Sequence, residues 1–556
     1  MVHQHSHTSR YNRLVAVAAA FGSLTYGYLA SIIGSTIGQP GWYAFFNLPT
    51  TGQPGYATTT TNAIATANGL FSGGAALGCI WIMWAATSLG RKRNIQIGAL
   101  VSLLGGALQG GAANLAMFQA GRFIAGLGVG VLVTICPMYL SEIAWWPTSH
   151  PRRSGGDRPG RPMIGTIQPP TSGDLPSAEA VDLDKPQDYL VLNSVSTHIS
   201  KRSYLQYDDY LDGEGGRGVR RTAPLARGVV IPDSPRWLLQ KGRTEEAWET
   251  LKRLRETPDD PDNLVAKEEL YQTKQQLALD TAKLKKLNIT PLGAVFKIKS
   301  YRKRMIIGFL TQWGAEFGGP LVINNYSVIL YTNLGQTGSM PLLLSALWLS
   351  TATLIYAPFG SWLHDRVNSR RWMFIIGLIG CLITTSAVAG CIAQYSGTGN
   401  KAGNAVGVFF VFFYLTFQGT CCDTTMYLYV SEVFPTEVRP IGMGFSLFGQ
   451  FAATLILLQT APIGFVTIGW KYYLVIICWC IVFIPAVYLY WPETARLSLE
   501  EISSKFGDDV AVHINDVSEE QRKELDDFLQ STDIIHLEAV NSAPAQEKMS
   551  ATPEIV

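Results

Sequence analysis

Apolar runs of about twenty residues, the length needed to cross a hydrocarbon core, recur along this chain with short polar breaks between them. They fall at 14–37, 63–86, 95–113 and 118–140, then at 305–331, 341–362, 372–393, 406–430, 445–468 and 472–490. The pattern predicts about ten spans, all helical because a helix satisfies its own backbone polar groups inside the bilayer. Between the two groups lies a long polar interval. Its stretch 145–230 is rich in Pro, Gly, Ser, Asp and Arg and holds no apolar run longer than "YLVL" at Tyr189–Leu192. Charged residues in hydrocarbon cost about 2.5–3.5 kcal/mol each, so this stretch is not predicted to span.

Orientation follows from the basic loops. Arg91-Lys92-Arg93, Arg366 with Arg370-Arg371, and Arg439 mark one face, whereas "GQPGWYAFFNLPTTGQPGYATTTTN" and "YTNLGQTGSM" on the other contain neither Lys nor Arg. Both termini and the polar interval are therefore expected in the cytosol, and a plasma-membrane location is expected. The polar start "MVHQHSHTSRYNR" precedes an apolar run too long for a cleavable signal.

Composition agrees: 556 residues are 47% hydrophobic and 15% charged, with a formal charge of +2. A soluble chain rarely runs so apolar. The eight cysteines lie in or at the ends of the predicted spans without zinc spacing, so inert buried thiols are expected. His3, His5 and His7 read as a polar tail. No phosphate loop, metal cluster or nucleophile constellation is present, so an enzyme, a metal and a cofactor are not expected, nor is a nucleic-acid partner. "GLGVGVLV" lies inside a span, where close helix packing accounts for its glycines.

An internal repeat points to transport. Tyr139-Leu140-Ser141-Glu142 ends one span and Tyr429-Val430-Ser431-Glu432 another, each followed by Pro and Arg and each preceded, two spans earlier, by a basic loop, "LGRKR" and "HDRVNSRR". Glu at a helix end and Arg on a neighbouring loop can pair when one face closes and part when it opens. A partly buried pair can bias such an equilibrium by about 1–3 kcal/mol. The expected cytosolic gate is Arg91, Glu142, Asp365, Arg370, Glu432 and Arg439.

The chain resembles the sugar porter family of the major facilitator superfamily, in a fungal-type form. "GRFIAGLGVGVLVTICPMYLSEIA" is similar to that family's fourth helix, "IPDSPRWLLQKGRTEEAWETLKRLR" to its central signature, and "PETARLSLEEI" to its ending. The resemblance covers about 14–144 and 231–502. It implies an all-α integral membrane protein of two helix bundles, with a substrate site between them and alternating access. Residues 1–13 are then a cytosolic tail, 14–144 a four-span bundle, 231–300 a cytosolic linker, 301–491 a six-span bundle and 492–556 an acidic cytosolic tail. In the linker, Ala247, Leu251 and Leu254 share one helical stripe, with Glu245, Glu249, Arg253 and Arg255 elsewhere, predicting an amphipathic helix. A second should begin near Asn263.

The family expects a fifth and sixth helix between Glu142 and Pro232. Either 145–230 is a disordered cytosolic insert, leaving ten spans, or about 145–228 is translated from the wrong frame or from unspliced sequence. The close match of both flanks favours the second.

Departures from the family pattern bear on the cargo. Leu29 stands at the position of a proton-coupling Asp, although its usual partner, Arg122, remains. Thr87 replaces an Asp in the first basic loop and Ser369 an Arg in the second, weakening the gate differently in each half. In "FLTQWGAEFGGPLVINNYS", Ala315 and Glu316 replace a Gln pair and Leu321 an Asn, while Gln312 and Tyr326 match. Gly318-Gly319-Pro320 should break that helix. Asp423 lies one turn before Tyr427, which occupies a substrate-facing Trp position.

Planar amides that bind vicinal hydroxyls, with an aromatic face against the ring, suit a carbohydrate. Gln312, Glu316, Asn324, Asn325, Tyr326 and Tyr427 are therefore the substrate-binding candidates. Ionisable groups at membrane depth are functional candidates by default, so Glu316, Asp423 and Arg122 are the proton-coupling candidates. The expected function is secondary transport of a hexose or related sugar or polyol by a monomer in the lipid bilayer. Pentose, disaccharide and sugar-acid cargoes stay open, as do proton symport and facilitated diffusion. The alternatives are a non-transporting nutrient sensor, against which the short acidic tail counts, and a transport-defective truncated product.

Overall fold

The computed structural model describes residues 9–37, 39–50, 53–143, 231–256, 263–367, 369–435, 437–495, 497, 502 and 504–507. The interval 145–230, where two further family helices were expected, and the two tails at 1–8 and 508–556 lie outside the described residues. No strand occurs among the described residues.

The first half comprises α1 (Arg10–Ile37), a short α2 (Pro40–Phe45), α3 (Thr61–Ser88), α4 (Arg91–Gly110) and α5 (Leu115–Ile143). α5 packs along both α3 and α4. The "GLGVG" glycines explain how close α3 comes. A Cβ at Gly126 would lie 2.1 Å from the Phe71 carbonyl oxygen, and one at Gly130 would lie 2.0 Å from that of Ala75. Only a bare Cα permits this backbone approach.

The linker forms α6 (Pro235–Gln240), α7 (Thr244–Arg255), α8 (Leu264–Leu287) and α9 (Pro291–Lys297). Ala247, Leu251 and Leu254 are buried, as the amphipathic stripe predicts. Arg255 is buried too, although it lies off that stripe. It pairs with Glu269 of α8 at 2.6 Å and donates to the Ile143 carbonyl, so it ties the linker to the end of α5.

The second half begins with a helix in three pieces, α10 (Lys299–Phe317), α11 (Pro320–Asn325) and α12 (Ser327–Asn333). The predicted break falls at Gly319, whose φ of +89° suits glycine, followed by Pro320 at the first position of α11. Next come α13 (Met340–Thr351), a π turn at Ala352–Tyr356, α14 (Ala357–Arg366), α15 (Arg370–Tyr395), α16 (Lys401–Phe417), a π turn at Gln418–Cys422 and α17 (Asp423–Val433). α18 (Arg439–Thr467) and α19 (Tyr473–Tyr490) complete it. α18 packs on α10 of its own half and along α3 of the other.

Among the described residues, 8 helical segments are long and apolar enough to cross a membrane. The two other predicted runs fall short for local reasons: α4 opens with three basic residues, and 305–331 is interrupted at Gly318–Pro320. Large apolar side chains such as Phe21, Trp84, Leu103, Leu354, Val482 and Leu489 are exposed, as an integral membrane protein requires of its lipid-facing surface.

Candidate functional site

The repeated segments are built alike in three dimensions. Arg91, at the start of α4, donates from Nη2 to Glu142 Oε1 at 2.6 Å and from Nε to Oε2 at 2.9 Å, and both side chains are fully buried. Arg370, at the start of α15, faces Glu432 at 3.5 Å, and Glu432 keeps 24% exposure. Tyr139 donates to the Pro232 carbonyl at 2.9 Å, and Tyr429 donates to the Pro492 carbonyl at 3.0 Å. Pro232-Asp233-Ser234 and Pro492-Glu493-Thr494 are therefore equivalent pieces of the two halves, a relation the sequence reading missed. Ser234 lies beside Glu142, in the place where Thr494 Oγ1 donates to Glu432 at 2.7 Å.

The departure at Ser369 acquires a definite role, whereas Thr87 engages through its backbone. The Thr87 carbonyl accepts from Trp237 Nε1 at 3.0 Å. Ser369 caps α15 by accepting from the Trp372 N–H, and its hydroxyl donates to Glu493. The Glu493 carboxylate also accepts from the backbone N–H groups of Arg370, Arg371 and Ala495. Burial pushes this carboxyl up, but the hydrogen bonds from Ser369 and those backbone groups outweigh it and hold it below the usual carboxylate range. Arg439 donates to the Phe434 carbonyl at 3.2 Å and lies within electrostatic reach of Glu142, so the second half meets the lock of the first. The Asp365 side chain lies outside the described residues.

Deeper in, Glu316 Oε1 accepts from Gln450 Nε2 at 2.8 Å, and the same amide donates to the Tyr427 hydroxyl at 2.9 Å. Tyr427 lies beside Tyr26 of α1. Glu316 Oε2 is buried without a partner. Asp423 accepts from Gln418 Nε2 at 2.8 Å and is near enough for its charge to act on Glu316. Gln312 donates to the Met426 carbonyl at 3.2 Å, leaving its Oε1 buried and unpartnered. On the first-half side, Arg122 donates from Nη1 to the Leu29 carbonyl at 2.8 Å. At the position where the family resemblance implies a carboxylate, only a backbone oxygen answers it.

Two contacts join the halves here, and a third continues from them within the second half. Asn324 donates to Ser31 Oγ at 3.1 Å; Asn68 donates to the Tyr326 hydroxyl at 3.1 Å; and Tyr326 donates to the Leu458 carbonyl at 2.8 Å. Beside them a cavity of about 10 Å³, room for one water, is bordered by Tyr26, Phe71, Arg122, Leu321, Asn325 and Thr454, among others. The structure thus joins Glu316 and Tyr427 through Gln450 with the Asp423 charge nearby, sets Asn325 in the cavity wall, and engages Asn324 and Tyr326 in contacts with the first half. Asn68, Ser72, Gln450 and Thr454 were missed. Their signal was an isolated polar side chain inside an apolar run.

Two repeated helical halves, each carrying an Arg–Glu pair at the same place in its repeat and packed around polar side chains from both, fit a polytopic carrier of the major facilitator type. The model of the family described as "Sugar (and other) transporter" matches residues 15–154 and 220–506. The chain belongs to that family of multi-pass membrane transporters. It is similar to a high-affinity glucose transporter of Kluyveromyces lactis, 24% identical over 89% of this chain and 85% of the relative. It is likewise similar to a quinate permease of Emericella nidulans, 24% identical over 89% and 88%. The fold matches the crystallised proton:xylose symporter XylE at a TM-score of 0.61, with 17% identity over 90% of this chain and 100% of that one.

Proposed function

We propose that the protein carries a sugar or related polyol across the plasma membrane by alternating access, as a monomer with both termini in the cytosol. The observation that carries this reading is the small cavity bordered by α1, α3 and α5 from one half and by α11 and α18 from the other, with the Arg122 guanidinium at its edge. Breaking the Arg91–Glu142 and Arg370–Glu432 pairs opens it to the cytosol. Breaking Asn324–Ser31 and Asn68–Tyr326 opens it to the outside. The names of the relatives, a glucose transporter and a quinate permease, support a polyhydroxylated cargo.

For coupling, Glu316 takes the place of the carboxylate absent at Leu29. Its free Oε2 is supported by Gln450 and neighboured by Asp423, so one proton shared by the two carboxylates relieves their repulsion. The test is uptake of a labelled sugar and polyol panel in a transporter-null cell, with and without a protonophore. Uptake of at least one compound is expected, with loss of protonophore sensitivity in Glu316→Gln. Uptake of none would overturn the transport reading in favour of a sensor or a defective product. Full pH-driven uptake by Glu316→Gln would remove Glu316 from the coupling role.

A further inference from the structure

Arg122 is a buried cation without a counter-charge. Its residue is 1% exposed, its Nε has no partner, and its Nη2 reaches Asn68 Oδ1 only at 3.4 Å. The guanidinium lies over the Phe71 ring, 4.1 Å from the centroid. Among the described residues no carboxylate pairs with it. Its position is set firmly, because Gly126, one turn on, brings α5 against the Phe71 backbone. A guanidinium left with neutral partners in a low-dielectric interior is costly, and an anion with matching geometry is the usual remedy.

That cation borders the central cavity, whose wall is largely apolar, from Ala30, Phe71, Phe451 and Leu458 among others, with a few polar groups set into it. Tyr26, Ser72, Asn325 and Thr454 supply hydroxyls and an amide, and the Asn325 Oδ1 acceptor has no partner. The wall from α11 presents apolar Leu321. The carboxylates of the second half do not reach across. Glu316 is bonded by Gln450, which also bonds Tyr427, and neither Glu316 nor Asp423 forms an ion pair with Arg122.

We propose that the preferred cargo is a polyhydroxylated monocarboxylate, a sugar acid. Its carboxylate sits on Arg122 and its hydroxyls on Tyr26, Ser72, Asn325 and Thr454. This rests on the transport reading above and names the substrate class of that same site. A guanidinium offers a carboxylate two parallel N–H donors, which a neutral sugar's hydroxyls cannot match.

The test compares acid and neutral partners of matched size on the purified full chain in detergent. D-gluconate is set against D-glucitol, and D-galacturonate against D-galactose, with binding read by tryptophan fluorescence and by thermal stabilisation. The acids are expected to bind about tenfold or more tightly than their neutral partners, the scale of a charge-assisted hydrogen bond. Arg122→Gln should erase that preference and Arg122→Lys should keep part of it. Equal or tighter binding of the neutral partners to the unaltered protein overturns the proposal, whether or not the variants fold. So does an acid preference that survives Arg122→Gln. In the uptake assay, carriage of neutral sugars but not acids defeats this proposal alone, whereas carriage of neither defeats the transport reading with it.

Discussion

Arg91 and Glu142 form a two-point ion pair, 2.6 and 2.9 Å long, in which neither side chain reaches solvent. Its counterpart, Arg370 with Glu432, is longer and partly wet. The two halves therefore share an ion pair but not its strength, because a buried charge deprived of its partner has no water to turn to.

Removing one partner of the first pair should be severe. Arg91→Gln or Glu142→Gln is expected to lower stability by about 3–5 kcal/mol, while the double variant should lose less than the sum of the singles. Arg370→Gln should lose less than Arg91→Gln, because Glu432 keeps some access to water. Thermal unfolding of the purified proteins in detergent measures all four. Strictly additive losses at Arg91 and Glu142 would show that the pair is not coupled.

Glu493 makes stability depend on acid. Its folded-state carboxyl titrates below the usual range because Ser369 and three backbone N–H groups hold the charged form. A depressed carboxylate stabilises fully above its unfolded value, about 4.3, and that contribution fades as pH falls through the lower folded value. The melting-temperature gap between the unaltered protein and Glu493→Gln should thus be constant from neutrality to about pH 5 and shrink below about pH 4. A gap that widened in acid would contradict the assignment.

Ser369→Ala should destabilise the start of α15, since it removes both the cap on the Trp372 N–H and the hydroxyl donor to Glu493. Loss of a cap of this kind costs about 0.5–2 kcal/mol. Hydrogen exchange at Trp372 should quicken while the middle of α15 stays protected, and unchanged exchange there would refute the capping role.

Gly126→Ala should push α5 off α3, because the new methyl would lie 2.1 Å from the Phe71 carbonyl oxygen. Overpacking on this scale costs about 1–3 kcal/mol. Gly73→Ala on α3, which meets nothing within 4 Å, is the control and should be neutral or slightly stabilising. Equal melting temperatures for the two variants would rule out close packing at Gly126.

Much of this protein is local in origin and was readable without coordinates. Runs such as 118–140 and 445–468 are apolar enough that, in a bilayer, only a helix satisfies their backbone. Gly319 and Pro320 break a helix through their own backbone restrictions, and the repeat of Tyr139-Leu140-Ser141-Glu142 at Tyr429-Val430-Ser431-Glu432 is a matter of spelling. Partner choice is different in kind. Nothing near Leu29 in the chain says that its carbonyl would receive Arg122. Nothing near Glu316 says that Gln450 would hold it, or that Ser369 would turn a lost arginine into a cap that shares Glu493. Those bonds join residues far apart in sequence, and the packing of α3, α5, α10 and α18 decides which polar groups meet. Local propensity made the helices; the tertiary structure chose which buried charges were answered, and left Arg122 without its carboxylate.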